Sequence, residues 1–139
     1  MSESAYLLVF GDNADAFFRH VGVDDAYRAA GASLYTVETH LHHHREVVEG
    51  EPLALSLLLL DHDAKRLHLF HEMRHGTSGA LLATAEQLLV HVDTAAGRSA
   101  PMPDDLHARV AAVCHAHAGI PRPEAVGRPI AMPVRTPGP

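Results

Sequence analysis

Apolar positions recur at Tyr6, Phe10, Ala14, Phe17 or Phe18, and Val21, the spacing of one helical face, so a long first helix is expected over the start of the chain. Gly22 supplies its C-terminal stop. Gly11 lies inside this pattern, where glycine costs roughly 1 kcal/mol against alanine, which predicts a close approach by another backbone. A shorter helical stretch is expected over residues 24–30, ending at Gly31.

From Ser33 the period changes to two. Tyr35, Val37, Leu41 and Val47 then fall on one face, with Glu38, His40, His42, His44 and Glu46 on the other, which predicts a long half-polar strand. After the Gly50-Glu51-Pro52 break, the string LALSLLLL is apolar on both faces and reads as a central, doubly covered strand. Two further strands are expected over residues 65–75 and 81–92, with short connections that favour antiparallel hairpins. Asp104 is placed to cap a last helix with Leu106, Val110 and Val113 inward, ending at Gly119. Six of the nine prolines lie from Pro121 onward, so residues 120–139 are expected to form an extended, partly disordered tail behind a single domain over residues 1–119. The order is α+β: a long helix, four antiparallel strands in a meander and a closing helix. The sheet's two exposed edges predict a homodimer or homotetramer.

Composition narrows the function. The chain has 139 residues, 47% of them hydrophobic, enough for one real core. A formal charge of −6 with no Lys/Arg cluster argues against a nucleic-acid partner. Its longest apolar run is too short to span a membrane, and the N-terminus has no export signal, so a cytoplasmic protein is expected. The single cysteine, Cys114, excludes an intrachain disulfide and reads as a packed side chain. GTSGA is a hairpin turn without a nucleophile elbow, and no dinucleotide fingerprint is present. Histidine is abundant, 13 residues in all, and the HLHHH string reads as a pH-sensitive polar face rather than a metal site.

Several strings carry a resemblance: YLLVFGDNADAFFRHVGV, YTVETHLHHHREVVEGEPL, KRLHLFHEM and LLATAEQLLVHVD. Together they resemble the hot-dog acyl-CoA thioesterases of the 4-hydroxybenzoyl-CoA type. A narrower resemblance is to the betainyl-CoA thioesterases and the thioesterase part of carnitine dehydrogenases. The family implies a central helix wrapped by an antiparallel sheet, and also a strand before that helix. Met1 stands directly at the helix start, so the sheet is expected to lack that strand and the carboxylate its segment carries in relatives.

The implied activity is hydrolysis of a short acyl-CoA, betainyl-CoA by the narrower resemblance, with coenzyme A as part of the substrate and no other cofactor. Alternatives are a non-catalytic acyl-CoA-binding or dimerisation module and a hot-dog dehydratase. Hydrolysis needs an activated water and donors for the oxyanion. Comparison with relatives points to Glu38 and His40 for catalysis, with Asp12 or Asp15 as carboxylates from the helix. The helix N-terminus around Ser2 to Ala5 offers N–H donors. Lys65 and Arg66 follow a turn where relatives carry basic residues that meet coenzyme A phosphates, and Arg98 lies in a later loop. Tyr6, Tyr35 or Phe10 would hold a trimethylammonium group through cation–π contact.

Overall fold

The computed structural model describes residues 1–133. Helix α1 spans Glu3–Val21, and Tyr6, Phe10, Ala14, Phe17, Phe18 and Val21 are all buried, as the helical spacing predicts. Ser2 caps it by accepting from the Ala5 N–H. Gly22 ends it at φ 100°, where the Val23 N–H reaches back to the Phe18 carbonyl. A side chain at Gly22 would also strike the Arg109 guanidinium, which donates to the Val21 carbonyl. Gly11 does not behave as expected: a Cβ built there meets nothing within 4 Å, so no neighbouring backbone explains this glycine. Helix α2, Asp25–Ala29, is capped by Asp24 through the Tyr27 N–H.

The sheet comprises β1 (Ala32–His43), β2 (Leu53–His62), β3 (Arg66–His75), β4 (Leu81–Asp93) and the short β5 (Arg98–Ser99). Its order is β1-β4-β3-β2, all neighbours antiparallel, with β5 paired to β4. Only β2, β3 and β4 form a meander, because β1 pairs with the distant β4 from Ala32↔Asp93 to His43↔Ala83. The leucine-rich β2 is consequently an edge strand, not the doubly covered centre. Leu59 is its one fully buried residue, and the central positions fall to β3 and β4, whose residues are mostly buried.

Strand β1 corrects a second expectation. A bulge between Thr36 and Glu38 shifts its register, so a single alternation does not run through the strand. Leu34 is buried, whereas Tyr35 and Val37 are 52% and 58% exposed. Val47 is buried but lies beyond the strand, where its carbonyl accepts from the Met1 amino group.

Helix α3, Asp104–His117, starts after Pro103, and no side chain caps it, contrary to the role expected of Asp104. Leu106 and Val110 are buried, with Val113 and Cys114 packed against the same cluster. At its end the His117 Nδ1 accepts from the Leu59 N–H at 2.9 Å, satisfying a donor of the β2 edge.

Two apolar clusters fill the space between α1 and the sheet. One gathers Phe17, Phe18 and Val21 with Leu67, Leu89, Leu106 and Val110. The other gathers Tyr6 and Phe10 with Met73, Ala83 and Ala85.

Candidate active site

Residues directly opposite in antiparallel strands share a face of the sheet. The pairs Glu38↔Leu88 and His40↔Glu86, with His68↔Leu88 and Phe70↔Glu86, therefore place these side chains together. This is the face away from α1, since the intervening Leu67, Leu69 and His71 belong to the buried side. A cavity of about 690 Å³ opens here, lined by Glu38 and His40 from β1, Arg66 and His68 from β3, and Glu86 from β4.

Asp61 and His62 contribute from the end of β2, and Asp63 from the β2–β3 turn. Asp63 accepts from the backbone N–H groups of Lys65 and Arg66 at 2.9 and 2.7 Å, and its other oxygen lies 2.6 Å from the Arg66 guanidinium. These contacts, the Arg66 side chain first, hold the Asp63 carboxyl at about 2, below its ordinary 3.8. Arg66 thus reaches the cavity as one half of an ion pair, while Lys65 is exposed outside it.

Glu86 is the polar hinge of the site. Its Oε2 lies 2.7 Å from His68 Nε2, and its Oε1 accepts from the Gly127 N–H at 2.8 Å. Arg128 and Ile130 consequently line the cavity, so the proline-rich tail supplies a wall that its composition did not suggest. Arg128 also stands near His42, whose proton affinity is lowered by burial first, then by His44 and Arg128. The rings of His42 and His44 lie 4.1 Å apart between centroids, and His40 stacks on His42 at 6.5 Å. Among the described residues no three His, Cys, Asp or Glu side chains converge as metal ligands.

The structure thus brings Glu38, His40 and Arg66 to one cavity, but not the other residues named from sequence. Asp12 is exposed on α1, and Asp15 faces Arg28 at 3.7 Å. Tyr6 is 3% exposed and packs edge-on against His43 at 4.6 Å, so it is core. Tyr35 lies on the open edge of β1, Phe10 is buried beside His71, and Arg98 belongs to β5. Ser2 to Ala5 are occupied by their own cap and do not line the cavity.

The sequence analysis does not pair His68 with Glu86, because the two lie 18 positions apart on different strands and only the β3–β4 register brings them together. Counting outward from the GTSG turn puts Glu86 within two residues of the position opposite His68. Glu86 is also the one carboxylate in β4 before Asp93.

A layer of antiparallel strands around one long helix, with acid–base side chains gathered on a sheet face, defines the hot-dog class of α+β proteins. Residues 1–110 match the family described as the Thioesterase-like superfamily, and the chain belongs to it. It is 44% identical over 134 residues to a betainyl-CoA thioesterase of Pseudomonas aeruginosa, covering 96% of this chain and 84% of that protein. It is also 44% identical over 128 residues to an L-carnitine dehydrogenase/betainyl-CoA thioesterase of Rhizobium meliloti, covering 92% of this chain but only 26% of that protein. The chain therefore spans about a quarter of such two-activity relatives. Among solved structures, the hypothetical protein SAV2348 from Staphylococcus aureus, determined in complex with CoA, superposes with a TM-score of 0.89 at 28% identity. That match covers 96% of this chain and 84% of the other.

Proposed function

We propose that this chain hydrolyses short acyl-CoA thioesters, with betainyl-CoA as the preferred substrate. The observation that carries the reading is the cavity that joins Glu38, His40, the His68–Glu86 pair and two arginines in a chain 44% identical to a betainyl-CoA thioesterase. In this reading Glu38 accepts a proton from a water molecule whose oxygen bonds to the thioester carbonyl carbon. The carbonyl oxygen becomes an oxyanion; when the C–S bond breaks, the thiolate leaves and takes up a proton, giving a free carboxylic acid and coenzyme A.

Charge supports a cationic acyl group. Four carboxylates line the cavity, Glu38, Asp61, Asp63 and Glu86, against the guanidinium groups of Arg66 and Arg128. Coulombic attraction in a partly enclosed site then favours a trimethylammonium over an acyl carboxylate. Arg128 and Arg66 remain the groups suited to the phosphates of coenzyme A.

The functional unit in this reading is a homodimer joined through β1. Its outer edge carries exposed Tyr35, Val37, Glu38 and Thr39, whereas the other edge of the sheet is partly closed by α3 through His117 and Leu59. The test is thiol release from a panel of short acyl-CoAs that includes betainyl-CoA, run with the unaltered protein and with Glu38→Gln. Release that Glu38→Gln abolishes is the expected result. Binding of the thioesters with no thiol release would replace the hydrolase reading with that of an acyl-CoA-binding module.

A further inference from the structure

Of the carboxylates that line the cavity, two are already engaged. Asp63 is paired with Arg66 and accepts from two backbone N–H groups, while Glu86 holds His68 with one oxygen and the Gly127 N–H with the other. Glu38 is the base in the reading above. Asp61 remains, and its Oδ1 accepts from the neighbouring His62 N–H at 2.8 Å. Among the described residues Asp61 forms no ion pair, although His68 stands opposite it, because His68 Nε2 is directed at Glu86.

A local irregularity brings Asp61 to this face. Leu59 pairs with Leu69 on the α1-facing side of the sheet, and one extra residue, Leu60, follows before Asp61 pairs with His68. In an unbroken register Leu60 would stand opposite His68, and Asp61 would face inward beside Leu67. The bulge instead turns a carboxylate onto the cavity face and leaves His62 opposite Leu67, where its ring meets that of His107 on α3 at 5.2 Å. Asp61, His68, Leu88 and Glu38 then form one row across four strands. The ends of the row are three strand spacings apart, about 14 Å at the backbone.

We infer that Asp61 sets the preference for a cationic acyl group, holding its trimethylammonium end while Glu38 acts at the carbonyl end of the row. The inference rests on the thioesterase reading above. A quaternary ammonium has no N–H to donate, so an aromatic face or an unpaired negative charge must attract it. No phenylalanine or tyrosine lines the cavity among the described residues, which leaves the charge. A betainyl group carries its nitrogen one methylene from the thioester carbonyl. It is short enough to lie along the row, with the attacking water toward Glu38, the ammonium toward Asp61, and Leu88 and His68 as the floor. Asp61 is exposed, so solvent weakens the attraction, and its effect falls on selection between acyl groups rather than on the chemical step.

The test compares two substrates on the full chain: betainyl-CoA and 3,3-dimethylbutyryl-CoA, in which carbon replaces the nitrogen and the charge is absent. Asp61→Asn keeps the shape and removes the carboxylate charge. It is expected to lower the ratio of kcat/KM for betainyl-CoA over the neutral analogue about three- to tenfold, mainly through KM, and Asp61→Glu should restore most of the ratio. Because a misfolded variant loses both substrates together, the ratio separates selection from unfolding. In the unaltered protein the same ratio should fall as added salt screens the contact. An unchanged ratio in Asp61→Asn, a ratio indifferent to salt, or an equal loss on both substrates overturns the inference and leaves the thioesterase reading standing. Failure of the unaltered protein to release thiol from any short acyl-CoA overturns that reading, and this inference with it.

Discussion

The Gly127 N–H donates to Glu86 Oε1 at 2.8 Å, tying the C-terminal segment to the central strand of the sheet across 41 positions of sequence. The second oxygen of the same carboxylate holds His68. One side chain therefore joins a wall of the cavity to its acid–base floor. Glu86→Ala removes both contacts, and hydrogen bonds to a charged, partly buried group contribute about 1–3 kcal/mol in total here. The expected outcome is faster hydrogen exchange at Gly127 and neighbouring amides, with a modest fall in melting temperature. An unchanged exchange rate at Gly127 would show that this contact does not hold the segment.

His71 makes stability depend on pH. Its folded-state pKa lies below the ordinary 6.5 because burial penalises the charged ring. As pH falls through 6.5, the unfolded chain takes up this proton while the folded chain does not, so stability present above pH 6.5 is lost toward lower pH until the folded pKa is reached. The slope from one such group is at most about 1.4 kcal/mol per pH unit. Urea midpoints measured between pH 7.5 and 5 should fall less steeply for His71→Gln than for the unaltered protein. Equal slopes would mean that other histidines account for the whole dependence.

Buried His91 pairs with the partly buried Tyr27, whose phenol lies 2.6 Å from His91 Nε2. His91 Nδ1 faces the Ala100 carbonyl at 2.9 Å and must donate to it, so Nε2 accepts and the Tyr27 hydroxyl donates. Burial, followed by the charge of Asp105, holds the Tyr27 hydroxyl above its ordinary range, which preserves the donor. Tyr27→Phe leaves His91 Nε2 without its partner, at a cost of about 1–3 kcal/mol. Thermal unfolding at neutral pH measures this, and a melting temperature equal to the parent would sink the assignment.

Val37 sits at the β1 bulge and is 58% exposed, on the edge proposed to join two copies. Lysine at such a position opposes edge-to-edge pairing. Val37→Lys is expected to shift sedimentation from dimer to monomer while leaving the far-ultraviolet spectrum intact. A dimer that persists would move the interface elsewhere on the molecule.

The elements themselves were legible in sequence because their signals are local. The spacing from Tyr6 to Val21 marks a helix whatever it packs against, Gly22 ends it through a left-handed backbone, and Gly31 follows α2 with the same positive φ. The hairpins linking β2, β3 and β4 follow from turn composition and short spacing. Glu38, His40 and Arg66 were likewise found from short stretches of chain, and their strands carry them to one cavity.

Long-range pairing decided the rest. LALSLLLL is apolar enough for a central strand, yet β1 enters beside β4, because strand order depends on where a distant segment finds its partner and not on hydrophobicity alone. A single extra residue at Val37 reversed the facing of β1, which no count of alternation reveals without its partner strand. The polar path Asn13–His71–Gln87–Thr39 joins four elements, and the Gly127–Glu86 contact crosses from a proline-rich tail to the sheet. Sequence by itself determined which segments are helix or strand and which residues could carry chemistry; tertiary structure alone decided which of them meet, because buried polar groups must be paired wherever folding leaves them.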